Sequence, residues 1–263
     1  MMRYVKLYKK FLVQYLKSLM EYKVDFFFGL FGFFLIQASG IAFINLVFNN
    51  IPTLNGWSYY DMLFIYGFAQ LPRGIDHLIM DNIWIFARDM VIQGTFDRYL
   101  VRPINPFFQM ISERFQPDAF GEIIVGIVIL AISVPKISIS ISIVNIIIFI
   151  ILVFAGAVIY TSIKLFFASF AFWIKNSINL VFMVYNISTF AKYPISIYPR
   201  AISIVVQFIV PFAFTAFVPA EYMLGKVSFV YGVGGTILCA MVAWILAYGL
   251  WTRGIKSYES SGS

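Results

Sequence analysis

The sequence predicts an all-α integral membrane protein with six transmembrane helices, and three observations support this fold class. The 263 residues are 61% hydrophobic, with a mean hydropathy of +0.87. Only 12% of the residues are charged, about half the share of a soluble domain. Several apolar runs approach or exceed the ~20 residues that a helix needs to cross a bilayer. We therefore expect one membrane domain without a second soluble domain.

Residues 1–24 are predicted to form an amphipathic helix that lies in the membrane surface. Apolar side chains recur at helical spacing from Tyr4 to Met20, and basic residues occupy most of the intervening positions. Such a helix is attracted to anionic headgroups, so membrane lipids are its expected partners and nucleic acid is not. The stretch lacks the compact apolar core and small-residue cleavage site of a signal peptide, so we expect no cleavage.

The membrane domain is predicted to cover residues 25–252, followed by a cytoplasmic tail at 253–263. The fourth apolar run is longer than a bilayer requires, so we expect it to tilt or protrude. The predicted spans are residues 26–48, 60–85, 120–134, 143–173, 177–192 and 227–251.

The distribution of Lys and Arg predicts cytoplasmic N- and C-termini, because positive residues concentrate on that side. Residues 1–23 hold six of the 19 and residues 86–116 hold four, whereas the loop at 49–60 holds none. This orientation requires an even number of spans, so only one of the runs 177–192 and 201–219 crosses. Prolines interrupt the second run, and broken helices at membrane depth usually lie in re-entrant segments. We expect 201–222 to be an external re-entrant element, with the reverse assignment open.

The stretch GTFDRYLVRPINP at 94–106 carries three charges, two prolines and a glycine within an apolar chain. It falls on the cytoplasmic side between spans two and three, and it is too short to be a span. We expect a short amphipathic helix over about 88–102, which Gly94 breaks or caps and Pro103 and Pro106 end. An interfacial loop satisfied by lipid headgroups is the open alternative.

Ionisable residues at membrane depth are further candidates, because such groups usually face protein or water. In span two, Arg73 is three and four residues from Asp76 and His77, close enough to pair with them. Asp81 lies on roughly the same helical face. This stripe is expected either to line a dimer interface or substrate path, or to form a self-neutralised structural cluster.

Three acidic residues near the predicted ends of spans are also candidates for a gate. Asp118 and Glu122 are four residues apart at the cytoplasmic mouth of span three. They are expected to act as a cationic gate or to pair with Arg88 or Arg114, and favourable placement at a helix N-terminus is the structural alternative. Glu221 is a candidate for an external gate.

The chain is expected to bind no metal or cofactor of its own. His77 is the only histidine and Cys239 the only cysteine, too few for an all-protein metal site of the usual kind. A G-x-x-x-x-G-K-[ST] phosphate loop is absent from the sequence. Lys164 and Lys175 are expected to extend towards the cytoplasmic surface.

Motifs spread over nearly the whole chain resemble one family of transport proteins. They are GWSYYDMLFIYGF (56–68), DNIW (81–84), GTFDRYLVRPINPFFQ (94–109), PDAFGEIIVG (117–126), YPISIYPR (193–200) and YESSGS (258–263). On these motifs the chain resembles the permease subunit of a bacterial type-2 ATP-binding-cassette (ABC) exporter.

That resemblance implies an exporter that is a multi-pass protein of the bacterial plasma membrane. Hydrophobic or amphipathic compounds are the expected substrates, because the spans are rich in Phe, Ile and Tyr. It makes 2–23 an interface helix and 88–102 a coupling helix that seats in a groove of a separate ATPase. An ATPase dimer would bind ATP and Mg, and this non-catalytic chain would pair with a second copy or a sister permease. The residues expected to couple to the ATPase are Arg88, Gly94, Phe96, Asp97, Arg98, Tyr99, Leu100, Arg102 and Pro103.

Two other classes of function compete with this interpretation. An ion-coupled carrier would use the cluster of Arg73, Asp76 and His77, although the sequence lacks the internal repeat usual in such carriers. A membrane enzyme would need convergent acid, base or metal groups, and the acidic residues lie too far apart along one helix.

Overall fold

The computed structural model describes residue 13 and residues 23–259, and its regular elements within these residues are helical, without a strand. The predicted interface helix lies almost entirely outside the described residues. Three π-helical turns occupy Phe86–Met90, Val205–Ile209 and Val230–Gly234. The α-helices are α1 (Lys23–Asn50), α2 (Tyr59–Met80), α3 (Asn82–Ile85), α4 (Asp97–Leu100), α5 (Pro106–Ser112), α6 (Ala119–Ser133), α7 (Ile143–Ser169), α8 (Ala171–Ile174), α9 (Ile178–Ile187), α10 (Arg200–Ile204), α11 (Phe217–Met223) and α12 (Gly235–Ser257).

Four segments of the described chain are long and apolar enough to cross a membrane. They are residues 28–50, 119–136, 143–174 and 230–257, which coincide with the first, third, fourth and last predicted spans. The predicted second span, α2, has 22 residues, but its ionisable side chains make it less apolar than these four. The structure therefore supports an all-helical, multi-pass membrane protein, and the count of six spans stays a prediction.

The two runs that competed for the fifth span are both irregular. The first comprises α9, of ten residues, and a 3-10 turn at Ser188–Lys192. The second is broken into α10, the π turn Val205–Ile209, a 3-10 turn at Phe212–Thr215 and α11. Pro211 lies at one of these breaks, because a proline nitrogen cannot donate a helical hydrogen bond.

Helix α2 lies at the centre of the molecule and packs along both α6 and α7. Ser58 begins it with a capping box, in which the Ser58 hydroxyl accepts from the Asp61 N–H and the Asp61 carboxylate accepts from the Ser58 N–H. Glycines allow α2 and α6 to approach closely: a Cβ added at Gly126 would lie 2.8 Å from Leu71 Cδ2. Small residues commonly support such close helix packing in membranes.

Candidate functional site

A buried ion pair joins α2 to α7. Lys164 Nζ lies 2.7 Å from Asp76 Oδ2, and both side chains are fully buried, at 0% exposure. The Thr161 hydroxyl donates to the other oxygen, Oδ1, at 2.7 Å. Both carboxylate oxygens are therefore satisfied, as a charge pair removed from water requires. Lys164 does not extend to the surface as predicted, because its partner lies opposite it on the neighbouring helix.

A second buried group joins α2, α6 and α9. Glu122 Oε1 lies 3.0 Å from His77 Nδ1 and 3.6 Å from Arg73 Nε. His77 Nε2 in turn lies 2.6 Å from the Tyr185 hydroxyl. The Arg73 guanidinium lies over the Tyr185 ring, 5.7 Å from its centre. His77 therefore links an acid on one helix to a phenol on another.

The pairings differ from those predicted within one helix. Arg73 contacts Glu122 on α6, whereas Asp76 is bound by Lys164 on α7. These side chains pair with residues of other helices and not with neighbours three or four positions away in α2. The reason is that the interfaces around α2 bury the stripe, and each charge meets an opposite charge at those interfaces.

The two remaining acidic candidates, Asp81 in α2's predicted stripe and Asp118 at the predicted end of span three, also have nearby polar partners. Asp81 pairs with Arg114, with 3.4 Å between Oδ2 and Nε. Asp118 accepts a hydrogen bond from the Gln116 amide at 3.0 Å. Burial raises the pKa of the Asp118 carboxyl. Arg88 pairs with its neighbour Asp89 at 2.7 Å, so neither predicted arginine reaches Glu122.

Several buried polar atoms around this region lack a hydrogen-bond partner among the described residues. They are both side-chain amide atoms of Gln70 and the Oε2 atom of Glu122. Buried polar groups are nearly always paired with protein, water or a ligand. Water molecules or the polar group of a ligand would therefore be stabilised here.

The stretch at 88–102, predicted as one amphipathic helix, is divided into short pieces. The π turn Phe86–Met90 is followed by turns, and α4 covers only Asp97–Leu100. Gly94 stands at the break with a φ of 67°, which a residue with a Cβ rarely adopts. Pro103 follows the end of α4, whereas Pro106 begins the next helix, α5, after an Asn105 cap.

An aromatic cluster, defined here as Phe86, Phe96, Phe172 and Trp251, connects this stretch to neighbouring helices. Phe96 is 0% exposed, and its ring centre lies 5.4 Å from that of Phe86 and 5.2 Å from that of Phe172. Its distance to the Trp251 ring is 5.7 Å. The aromatic cluster therefore connects 86–100 to α8 and α12.

The predicted coupling residues separate into a buried set and an exposed set. Phe96 and Tyr99 face the interior of their own chain, whereas Arg98 and Leu100 are exposed. Gly94 and Asp97 are partly exposed. The exposed surface continues into Val101, Arg102 and Pro103.

The carboxylate of Glu113 connects α4 to the end of α5. Glu113 Oε2 accepts from the Arg98 guanidinium at 2.7 Å and from the Tyr99 hydroxyl at 2.6 Å. Burial, together with this bond to the carboxylate, raises the pKa of Tyr99. The phenol is thus held protonated as a donor, and α4 is bound to the end of α5.

At the opposite end of the molecule, the loop at 51–58 contacts two segments that are distant in sequence. Trp57 donates its indole N–H to the Ser196 hydroxyl at 3.0 Å, and the Asn55 amide donates to the Ser196 carbonyl at 3.0 Å. The Lys226 ammonium lies 3.6 Å from the centre of the Trp57 ring and 3.3 Å from Asp61 Oδ2. This loop therefore joins α2 to two other segments.

The predicted gate acid Glu221 lies near this loop but makes no ion pair with a described residue. Its carbonyl accepts from the Lys226 N–H at 3.0 Å, and its side chain is partly exposed. The Lys226 ammonium is directed to Asp61 instead.

Sequence reasoning missed three partners in these groups. The sequence did indicate a partner for Lys164, because a single lysine inside a long apolar helix usually has a buried partner. The sequence did not indicate the partners of Tyr185 and Glu113, since their contacts depend on which helices pack together. Within the described residues, no group of three or more His, Cys, Asp or Glu side chains could hold a metal ion.

Comparisons with known proteins match one family over most of the chain. A family model described as "ABC-2 family transporter protein" matches residues 34–262. Neither the curated proteins nor the solved structures contain a match to this chain. The matched range includes the buried groups around α2, the stretch at 86–105 and the loop at 51–58, and the chain therefore belongs to the ABC-2 family of transporter proteins.

Proposed function

We propose that this chain is the permease subunit of an ATP-driven exporter that moves hydrophobic or amphipathic compounds out of a bacterial cell. Membership of the ABC-2 family implies a multi-pass membrane permease that works with an ATPase component and is not itself catalytic. In this proposal a separate ATPase dimer binds ATP and Mg, and the permease pairs with a second copy or a sister chain. Both termini and residues 86–116 lie in the cytoplasm.

The observation that supports the coupling role most directly is the attachment of residues 86–100 to the aromatic cluster. An ATPase that pushed on this stretch would move α8 and α12 with it, because Phe96 is enclosed by Phe172 and Trp251. A well-packed interior transmits displacement instead of absorbing it. We propose that the exposed set docks on the ATPase and the buried set transmits the movement.

The proposed docking surface, named here the coupling surface, comprises Ile92, Leu100, Val101 and Arg102. Ile92 is 49% exposed and Val101 is 80% exposed. Apolar side chains next to a positive charge suit a groove with an apolar floor and an acidic rim.

We propose six spans, with α2 as the second and 177–192 as the fifth. The broken segment at 201–222 would be an external re-entrant element. Its proline-interrupted backbone supports this assignment, since non-helical backbone at membrane depth must be enclosed by protein. The buried groups around α2 would then lie beside the substrate path.

Native mass spectrometry of the tagged protein, extracted gently from its own host, tests the proposal. The expected complex contains two ATPase subunits and two permease subunits, and its mass reveals whether the second permease is identical.

Two variants test the coupling surface in the same measurement. Val101→Asp should lose the ATPase, whereas Ile141→Asp should keep it. Ile141 is a matched control because it is 73% exposed and lies on the predicted external side. A chain that never retains an ATPase would contradict the proposal.

The buried ionisable groups favour a second candidate, an ion-coupled carrier. Asp76 and Glu122 both lie between helices, as coupling residues of carriers do. Each is already neutralised by a basic partner, which argues against a free ion site. Transport in proteoliposomes driven by a proton gradient without ATP would favour the carrier.

A further inference from the structure

A long groove of about 500 Å³ opens between α7, α12 and the segment at 207–214. Its volume falls in the range of about 300–1,000 Å³ that is usual for small-molecule sites. Its two helical walls belong to the apolar segments 143–174 and 230–257. The groove therefore opens onto the surface where hydrocarbon is expected to be the solvent.

The groove has the shape of a slot that follows α12. On that wall the lining residues include Tyr231, Gly235, Cys239, Val242 and Leu246, which recur every three or four positions. The sixteen residues from Tyr231 to Leu246 are separated by fifteen helical rises, which make a stripe about 22 Å long at ~1.5 Å per residue. A slot of this length suits an extended hydrocarbon chain better than a compact ring system.

The walls of the groove are apolar except at isolated positions, and none of the described residues that line it is charged. The Ser162 hydroxyl already donates to the Val158 carbonyl at 2.6 Å. The Gln207 amide, by contrast, makes no hydrogen bond to any residue in the described part of the chain. An amide without a partner in hydrocarbon is costly, so this position favours an occupant with a hydrogen-bonding group.

Two irregular backbone segments contribute residues to the lining of the groove. The π turn Val205–Ile209 carries Gln207, and the π turn Val230–Gly234 carries Tyr231. Pro211 lies between the first turn and Phe214. π turns inside helices frequently coincide with functional sites. One turn lies in the 207–214 segment and the other directly precedes α12, so π turns line two sides of the groove, which favours a ligand site over incomplete packing.

We propose that the groove binds one acyl chain of a bilayer phospholipid, with a polar oxygen of that lipid hydrogen-bonded to Gln207. The surrounding bilayer supplies this ligand at high concentration. The absence of charged lining residues keeps the ionic headgroup outside the groove. The second acyl chain remains in the bilayer. A chain bound there packs between the 207–214 segment and α7, so movement of that segment changes lipid occupancy.

Photo-crosslinking tests the proposal without requiring transport activity. The full chain is reconstituted in nanodiscs that contain a phosphatidylcholine with a diazirine in one acyl chain. It is then washed in lipid-free detergent, irradiated and digested for peptide mass spectrometry. We expect adducts on Leu238, Val242 and Leu246, which line the groove. Adducts on Met241 and Ile245, exposed on the same helix outside the groove, should be lost in the wash.

Two matched variants separate the groove from the general surface. Ala243→Phe fills the groove and should lower the retained adducts at least about tenfold, equivalent to about 1.4 kcal/mol of binding free energy. Ile245→Phe adds the same ring outside the groove and should leave the adducts unchanged. Gln207→Leu should reduce retention while preserving the same adduct sites. Matching elution profiles of the three variants exclude a folding defect as the cause.

Three outcomes would overturn the proposal. One is equal retention of adducts inside and outside the groove. Another is loss of the groove adducts only during ATP turnover by the assembled transporter, which would assign the groove to a transported amphiphile. The third is efficient bis-maleimide cross-linking between copies at Cys239, the only cysteine of the chain, because a second copy would then cover the groove.

Discussion

Lys164 is the charged residue of an otherwise apolar 27-residue helix, and its position depends on the carboxylate of Asp76. Removal of one member of a buried pair leaves an uncompensated charge, which costs about 3–5 kcal/mol. Replacement of both members by uncharged residues of similar volume avoids that cost. The two side chains can therefore be tested as a pair by comparing single and double substitutions.

We predict that Asp76→Asn and Lys164→Met will each lower stability by about 3–5 kcal/mol. The double variant should recover most of this loss. Thermal unfolding of the purified protein in detergent measures the effect. Lys175→Met is the control, because Lys175 is exposed. If the double variant unfolds as early as the less stable single variant, the pair is not the source of the effect.

We predict a smaller effect for Tyr185→Phe, which removes the hydroxyl bonded to His77 Nε2. Loss of one partner of a buried hydrogen bond costs about 1–3 kcal/mol. Tyr60→Phe is the control, since the Tyr60 hydroxyl has no hydrogen bond within the described chain. Equal thermal unfolding of the two variants would contradict a stabilising role for the link between His77 and Tyr185.

At the scale of elements, the stretch at 86–105 combines an inward face and an outward face. Phe96 lies in the aromatic cluster, whereas Leu100 is 40% exposed. Truncation of a buried phenylalanine leaves a cavity, and truncation of an exposed leucine does not. The two positions therefore separate stability from ATPase docking.

We predict that Phe96→Ala will lower stability by about 3–5 kcal/mol. Leu100→Ala should leave the unfolding temperature nearly unchanged and reduce retention of the ATPase during purification. Thermal unfolding and quantitative co-purification of the two variants provide the measurements. Equal unfolding temperatures, or undiminished ATPase retention in Leu100→Ala, would refute the division into buried and exposed sets.

The contact between α2 and α6 depends on small residues. We predict that Gly126→Leu will separate these helices and greatly reduce the yield of folded protein, because a Cβ there already meets Leu71. Gly32→Leu is the matched control, since a Cβ at Gly32 has no neighbour within 4 Å. Size-exclusion profiles of the two variants measure the difference. A folded Gly126→Leu protein would show that the interface is adaptable.

The sequence predicted the long apolar helices well and the irregular segments poorly. Runs such as 143–173 are defined by composition alone, so hydropathy located them to within a few residues. The division of 88–102 into a π turn, a break at Gly94 and α4 depends on burial of Phe96 between distant helices, which local periodicity does not encode.

The site was predicted only in part for the same reason. Arg73, Asp76 and His77 were identified because charges are rare in apolar spans. Their pairings were not predicted, because Glu122, Lys164 and Tyr185 belong to three other helices, and Glu122 was assigned to a gate instead. Pairing across helices requires knowledge of which faces meet, and one sequence does not supply it.

At the scale of the whole molecule, side-chain contacts connect the loop at 51–58 to two segments that are distant in sequence. Asn55 and Trp57 both bind Ser196, and Lys226 contacts Trp57 and Asp61. Under the proposed orientation this is the external side, from which the substrate would leave. Export would then require these contacts to separate in each transport cycle.

We predict that a disulfide between Asn55→Cys and Ser196→Cys, in a Cys239→Ala background, will stop ATP-driven transport. Reduction of the disulfide should restore it. Transport by proteoliposomes containing the assembled complex, before and after reduction, is the measurement. Asn55→Cys alone controls for the substitution. Full transport by the oxidised double variant would mean that this end need not open.

The pair of Asp76 and Lys164 also bears on how the chain is made. Asp76 is synthesised 88 residues before the lysine that neutralises it. During that interval the Asp76 carboxylate lacks its final partner, at a cost of about 2.5–3.5 kcal/mol if it lies at the centre of the bilayer. We expect a temporary partner to offset this cost, such as Arg73 in the same helix or a proton on Asp76. The final position of the central helix is therefore reached only when more than half of the protein exists.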